Sequence, residues 1–188
     1  MGWKTETLSC RIRPYQPDDA EALWQAVRES LAEVQPWLSW CHPAYSKADA
    51  EEWATRQARL AAQGGAELSF AIEGPDGRFL GGCGVNQVNR VHHFGNLGYW
   101  VRTSATGHGV ASEAVRQTAE WAFRNSDLVR LEIVCAVDNV RSQRVAARAG
   151  AVREGVLRSR LELHGRWMDA VMFSLIRPGA PPPPGRSG

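Results

Sequence analysis

The chain has only four cysteines, Cys10, Cys41, Cys83 and Cys135, and no Cys-x-x-Cys pair. That spacing excludes the common zinc frameworks and a disulfide-stapled scaffold. It leaves buried free thiols, since at least Cys10, Cys83 and Cys135 fall in strand-like runs. No apolar run approaches 18 residues, and no N-terminal apolar segment precedes a cleavage-like site. A membrane-spanning helix and a signal peptide are therefore not expected, and the expected location is cytoplasmic. Charge of one sign is scarce as well. The formal net charge is +2, with basic residues scattered along the chain, which argues against a nucleic-acid partner. Internal repeats are absent. Two familiar phosphate motifs are also missing: Ser112 stands where a dinucleotide fingerprint needs its third glycine, and no Gly-Lys-Ser/Thr triplet occurs.

What is present points to one domain. The 188 residues are 44% hydrophobic and 22% charged, ordinary for a globular chain with a substantial core. Eight tryptophans are an excess, and they favour an aromatic-lined cleft in addition to core. Residues 1–7 read as a flexible N-terminus, 8–177 as the folded domain, and 178–188, with Pro181 to Pro184, as a proline-rich disordered tail.

Taken in order, Leu8 to Arg13 reads as a strand. A helix follows from Pro17, capped by Asp18 or Asp19, with Ala20, Leu23, Trp24, Val27 and Leu31 on one face and Pro36 ending it. Pro36-Trp37-Leu38-Ser39-Trp40 is a break carrying two tryptophans. Ser46 caps a second helix that Gly64-Gly65 closes. Leu68 to Ile72 and Phe79 to Val85 form a strand pair around Pro75-Asp76-Gly77. Gly81, Gly82 and Gly84 leave the second of these little bulk, as if something passes close by. Asn86 to Asn96 reads as a polar loop holding His92 and His93. No third ligand sits at a zinc-like spacing, so the pair reads as a solvated loop or as a base near an incoming amine.

The centre of the chain is Leu97 to Arg124. Leu97, Tyr99 and Val101 alternate with Gly98 and Trp100 as a strand, Thr103 to Thr106 interrupt it, and Gly107-His108-Gly109 leads into helical periodicity from Val110. A glycine loop opening a helix offers unpaired N–H groups and the positive end of the helix dipole, a natural seat for phosphate. A tight turn is the plainer alternative. Leu131, Ile133 and Cys135 then alternate as a strand. Asp138 or Asn139 caps a helix ended by Gly150, and Val156 to Leu163 and Met168 to Ile176 form a hairpin at His164-Gly165. Arg141, Arg144 and Arg148 share one helix face, either solvated or meeting a phosphate. The order β-α-α-β-β-β-α-β-α-β-β predicts a single α/β (α+β) domain, a mixed sheet with helices on its faces.

Thr106-Gly107-His108-Gly109-Val110-Ala111 resembles the acetyl-CoA signature of the GCN5-related N-acetyltransferases (GNAT), Gln/Arg-x-x-Gly-x-Gly/Ala, with Thr106 replacing the expected long polar residue. Asp138 to Val145 with Ala149-Gly150-Ala151 is similar to the family's Asn-x-x-Ser segment, and Leu97-Gly98-Tyr99-Trp100 resembles its fourth strand. Arg11 to Pro14, Asp18-Asp19-Ala20 and Trp37 to Trp40 narrow the likeness to the RimJ/RimL-like branch.

The resemblance implies a mostly antiparallel twisted sheet and transfer of acetyl from acetyl-CoA, as co-substrate and without a metal, to a primary amine of a protein N-terminus or small molecule. It implies direct attack in a ternary complex. Gly107, His108, Gly109, Val110 and Ala111 would cradle the pyrophosphate, the strand edge at Trp100 and Val101 would bind pantetheine, and Val101 N–H would serve as oxyanion donor. Asn139 would hold a pantetheine amide, Ser142 would stand at the sulfur as proton donor, and Arg144, among the three arginines, is the candidate for the coenzyme's 3′-phosphate. Trp37 and Trp40 would wall the acceptor pocket. Glu132, Glu162, Asp169, His92, His93 or a water chain could act as base. Two alternatives stay open, a non-catalytic acyl-CoA-binding sensor and an enzyme using another donor such as succinyl-CoA. An exposed strand edge makes a homodimer a possible assembly.

Overall fold

The computed structural model describes residues 9–180. Residues 1–8 and 181–188, which include the expected flexible N-terminus, Leu8 and the Pro181 to Pro184 run, lie outside the described residues. Eleven elements follow the expected order: β1 (Arg11–Pro14), α1 (Ala20–Val34), α2 (Lys47–Gln63), β2 (Leu68–Glu73), β3 (Phe79–Asn89), β4 (Phe94–Val101), α3 (Val110–Asn125), β5 (Arg130–Ala136), α4 (Val140–Arg148), β6 (Val152–Leu163) and β7 (Arg166–Ile176). They form one seven-stranded sheet in the order β1-β2-β3-β4-β5-β7-β6. Every neighbouring pair is antiparallel except β4–β5, which runs parallel.

Two layers of helix cover the sheet. Leu23, Ala26 and Val27 of α1 and Ala50 and Ala54 of α2 pack with Ala71, Phe79 and Trp100 on one face. On the other face Val115, Ala119 and Ala122 of α3 and Ala146 of α4 pack with Leu97, Leu131, Ile133 and Phe173. The periods in the sequence produce this arrangement, because apolar residues at three- and four-residue spacing face a sheet whose inward residues alternate.

Local chemistry sets the boundaries. The α2 cap is the expected one, with Ser46 Oγ accepting Asp49 N–H at 3.2 Å and Asp49 returning a carboxylate to Ser46 N–H at 2.7 Å. The start of α1 differs. A 3₁₀ turn at Pro17–Asp19 precedes it, and the Asp19 carboxylate reaches back to Gln16 N–H at 2.8 Å while also holding Arg13. Asp19 holds the N-cap position of α1 as expected but makes no side-chain cap bond to it, because its carboxylate is engaged by Gln16 N–H and Arg13; Gln16 caps the 3₁₀ turn. Asn86 to Asn96 is likewise not a long loop. β3 continues to Asn89 and β4 begins at Phe94, so only a short turn holds His92 and His93. The bulk passing close to the β3 glycines belongs to the protein itself: a Cβ on Gly82 would meet Tyr15 Oη at 2.6 Å and Trp100 Nε1 at 2.9 Å.

Candidate active site

The parallel pair β4–β5 is paired at only one end. Its register runs from Phe94↔Arg130 to Asn96↔Glu132 and then stops, so the two strands part toward Val101 and Ala136. On the other side β4 stays paired with β3 through Val101↔Gly81. The next residue, Arg102, donates its N–H to Leu80 O at 2.8 Å. Antiparallel pairs alternate in direction, so even-numbered residues of β4 exchange hydrogen bonds with β3. The N–H and C=O groups of Tyr99 and Val101 therefore face the split. This corrects one expectation: the Trp100 main chain belongs to the β3 ladder, and its ring packs on the α1/α2 face. Tyr99 and Val101 supply the open edge.

Two helix starts close on the same end. Gly107 (φ 83°) and Gly109 (φ 79°) both adopt the left-handed conformation that favours glycine, and this turns the chain into α3. The first helical bond is Glu113 N–H to Gly109 O at 3.1 Å, so the amides of Val110, Ala111 and Ser112 have no acceptor within the helix. Thr106 donates its hydroxyl to Thr103 O at 2.8 Å, and His108 is exposed. The loop thus holds its own shape, and the exposed Thr106 contributes to it through this local hydrogen bond. At α4, Asn139 caps the helix by accepting Ser142 N–H at 3.0 Å through Oδ1, which leaves its Nδ2 available to donate. Arg144 is exposed on α4. The following residue, Val145, accepts from Ser112 Oγ through its main-chain O at 3.4 Å, which brings α4 beside the first turn of α3.

Ser142 lies between two strand side chains. Tyr99 Oη is 2.9 Å from Ser142 Oγ and 2.9 Å from Ser142 O, and Cys135 Sγ is 3.2 Å from Ser142 Oγ. Burial pushes both the Tyr99 phenol and the Cys135 thiol up from their ordinary pKa values, so both keep their protons. Sequence reasoning placed both residues on strands and missed this role. The parity of Tyr99 and Cys135 puts them on one face, but only the parting of the strands brings them to Ser142.

The end of α1 spans the mouth of the split. Glu29 accepts from Arg102 and from Ser104 N–H at 2.8 Å, and Ser30 Oγ accepts Thr103 N–H at 3.0 Å. On the opposite side His164 Nε2 lies 2.6 Å from Gln35 O, joining the β6–β7 tip to α1. Below this strap, Glu33, Pro36 and Trp37 face Asp138, Asn139 and Arg141 across an open cleft of about 330 Å³. Trp37 lines that cleft. Trp40 does not; its ring lies edge-on to Trp100 at 5.6 Å and to Tyr45 at 5.9 Å.

The residues weighed as base are spread over both ends of the sheet. His92 and His93 sit on the turn at the paired end of β4, where His93 Nδ1 lies 2.8 Å from Asp127. Glu132 is at the last paired position and is held by Arg130 at 2.8 Å. Asp169 accepts Ser159 N–H at 2.8 Å, and Glu162 is exposed on β6, the outermost strand. Of these, Asp169 lies at the split end of β5, where its main-chain O accepts Val137 N–H at 3.0 Å beside the Ala136↔Ala170 pair, and Glu162 lies near the β6–β7 tip opposite Trp167. Among the described residues, no three His, Cys, Asp or Glu side chains come together as a metal site would require. No helix of the described residues is long and apolar enough to cross a membrane.

Comparison with known proteins agrees with this geometry. The family model of the acetyltransferase (GNAT) domain matches residues 10–152. The ribosomal-protein-serine acetyltransferase of Escherichia coli (strain K12) is 24% identical over 176 residues, covering 92% of this chain and 97% of its own length. Among solved structures, Mycobacterium smegmatis RimJ in complex with a CoA-disulfide superposes with a TM-score of 0.77 at 26% identity, covering 89% of this chain and 81% of its own. RimL, a ribosomal L7/L12 α-N-protein acetyltransferase in complex with coenzyme A, reaches a TM-score of 0.80 at 24% identity, covering 92% and 96%. A glycine-opened helix beside a parted parallel pair, matched by this domain over most of its length, identifies the chain as a GNAT acetyltransferase of the RimJ/RimL-like branch.

Proposed function

We propose that the chain moves an acetyl group from acetyl-CoA to a primary amine by direct attack in a ternary complex, with a protein N-terminus as the favoured acceptor class. The observation that carries this reading is the parted β4–β5 pair, which offers unpaired strand groups on one side and a capped helix serine on the other. The residues present suit the coenzyme. Amides at Val110, Ala111 and Ser112 would take the pyrophosphate together with the Gly107-His108-Gly109 loop, and Arg144 would meet the coenzyme's 3′-phosphate. The Tyr99 and Val101 edge would pair with the pantetheine arm as an added strand, and Asn139 Nδ2 would donate to one of its carbonyls. Thr106 causes no conflict, because its hydroxyl serves the loop and the backbone does the binding.

The chemistry needs a neutral amine, a fixed carbonyl and a stabilised leaving thiolate. The N–H of Val101 would bind the carbonyl oxygen as charge develops on it. The Ser142 hydroxyl would donate to the sulfur. That is a modest task, because a free thiol has a pKa near 8.5 and its thiolate is already a tolerable leaving group. The acceptor would enter through the cleft at Trp37, where the carboxylates of Glu33 and Asp138 outnumber the one cation, Arg141, and favour the approach of a cationic amine. Its proton would leave by solvent through the same opening. A protein acceptor fits the relatives named for ribosomal-protein substrates.

The test is incubation with acetyl-CoA and a panel of peptides, polyamines and small amines while free thiol is followed. Thiol release that depends on a peptide with a free N-terminus is expected. Release with succinyl-CoA alone would reassign the donor, and tight acetyl-CoA binding without turnover on any amine would overturn the reading.

A further inference from the structure

The Tyr99–Ser142–Cys135 cluster has a feature that the transfer reaction by itself does not require. Ser142 Oγ carries one proton and two acceptor sites, Tyr99 one proton, and Cys135 one weakly donated proton. The distances allow two kinds of arrangement. In the first, Tyr99 donates to Ser142 O and the Ser142 proton turns inward, to Tyr99 Oη or to Cys135 Sγ. In the second, Tyr99 and Cys135 both donate to Ser142 Oγ, at 2.9 and 3.2 Å, and fill its acceptor sites. The Ser142 proton can then point only outward. We propose that Tyr99, with Cys135 as a weaker second donor, is a positioning residue that switches Ser142 into this outward-donating state as the coenzyme's sulfur becomes charged.

The switch follows from electrostatics. With no charge at the mouth, the two arrangements differ little, since Ser142 O gains what Ser142 Oγ loses. A thiolate in front of Ser142 favours the arrangement that presents a proton to it, so the gain is made in the transition state and not in the ground state. When the C–S bond breaks, its electron pair goes to sulfur, and the Ser142 O–H hydrogen-bonds that charge. The acceptor amine loses one proton to solvent and the thiolate regains one from solvent, so the step balances. Tyr99 does not give up its own proton. Burial of the phenol keeps it protonated well beyond the thiol range, so it acts as a fixed donor and not as an acid. The Tyr99 ring packs among residues of α3 and the sheet, which fixes the direction of its hydroxyl.

This inference rests on Ser142 standing at the sulfur, and the experiment separates the two. In a double-mutant cycle, Ser142→Ala, Tyr99→Phe and the pair are compared for kcat, for KM of acetyl-CoA and for thermal unfolding. The thiol of bound coenzyme A is titrated in parallel by its thiolate ultraviolet absorbance. One hydrogen bond to charge corresponds to about a tenfold loss of kcat for Ser142→Ala. Tyr99→Phe is expected to lose nearly as much with KM unchanged, and the pair no more than Ser142→Ala alone. The bound thiol should titrate below free coenzyme A in the wild type and return upward equally in each variant.

A purely structural tyrosine would lower the unfolding temperature, leave the thiol titration unmoved and add its loss to that of Ser142→Ala; that result overturns the proposal. Unchanged turnover in Ser142→Ala overturns the placement of Ser142 and this inference with it. A loss in Ser142→Ala with none in Tyr99→Phe overturns only the inference. Should Tyr99→Phe not fold, Cys135→Ala takes its place in the cycle, with an expected loss of about two- to threefold for the weaker donor. Additivity there counts against the proposal in the same way.

Discussion

The two ends of the β4–β5 pair are made of the same strands and do opposite work. At the paired end, Phe94 to Asn96 lie in register with Arg130 to Glu132, and Arg130 bridges Glu132 and Glu154. At the parted end, Tyr99 and Val101 turn main-chain groups toward a gap that β5 has left. A parallel ladder satisfies its own donors and acceptors, so nothing is left there for a ligand. Where it stops, a substrate can take the place of a strand. The comparison shows that the candidate chemistry lies where pairing fails, and that the paired end serves to hold the angle of the split.

The sharpest way to break this contrast is at Val101. Val101→Pro deletes an N–H that faces the gap, whereas Trp100→Pro deletes one that bonds β3. Loss of an oxyanion donor costs about 10²- to 10³-fold in kcat. Val101→Pro should show that loss with cooperative unfolding retained, while Trp100→Pro should unfold at a markedly lower temperature. Thermal melts beside turnover measurements check this, and equal activity loss without a difference in stability would erase the distinction.

A second, smaller contrast lies in two carboxylates. Glu29, beside Arg102 at the parted end, and Glu154, beside Arg130 at the paired end, are each drawn down to about 2, mainly by hydrogen bonds from those arginines. A lowered folded-state pKa contributes stability that is complete above the ordinary value of 4.5 and is lost as pH falls toward about 2. Both ion pairs should therefore weaken in the same acid window. Glu29→Gln is expected to cost ~1 kcal/mol and to lower kcat/KM several-fold, because it loosens α1 over the cleft. Glu154, more exposed, should cost less as Glu154→Gln and leave turnover within about twofold. Acid-unfolding midpoints and turnover at neutral pH separate the two.

The smallest effect is expected at the turn. Replacing His92 and His93 with alanine removes an exposed His93–Asp127 contact at the paired end, worth under about 0.5 kcal/mol, and should leave the pH profile of kcat unmoved. A loss above tenfold with a shifted alkaline or acidic limb would bring that end into catalysis.

Much of this was legible beforehand, for local reasons. Ser46, Gly64 and Gly109 mark helix ends through caps and left-handed backbone, and alternation at Leu68 to Ile72 and Leu131 to Cys135 marks strands; none of these needs a distant partner. Expectations failed where a distant partner decided. Asp19 kept the N-cap position of α1 but directed its carboxylate to Arg13 and Gln16 N–H, and the residues between Asn86 and Asn96 joined the ladder because β3 and β4 continue past their apolar core. Trp40 went to Trp100 instead of the cleft that Trp37 lines. The candidate site was legible in part, as the glycine loop, Asn139 and Ser142, because helix starts advertise themselves through small and capping residues.

The amino-acid order alone determined the succession of elements and the two helix N-termini, since period and capping act over a few residues. It could not determine that β4 and β5 pair for three residues and then part. That divergence comes from packing α3 and α4 against one face while the end of α1 spans the other, a balance of contacts far apart in sequence. The same divergence brings Tyr99, Cys135 and Ser142 within hydrogen-bond reach, so only the tertiary structure decided which serine environment this chain presents.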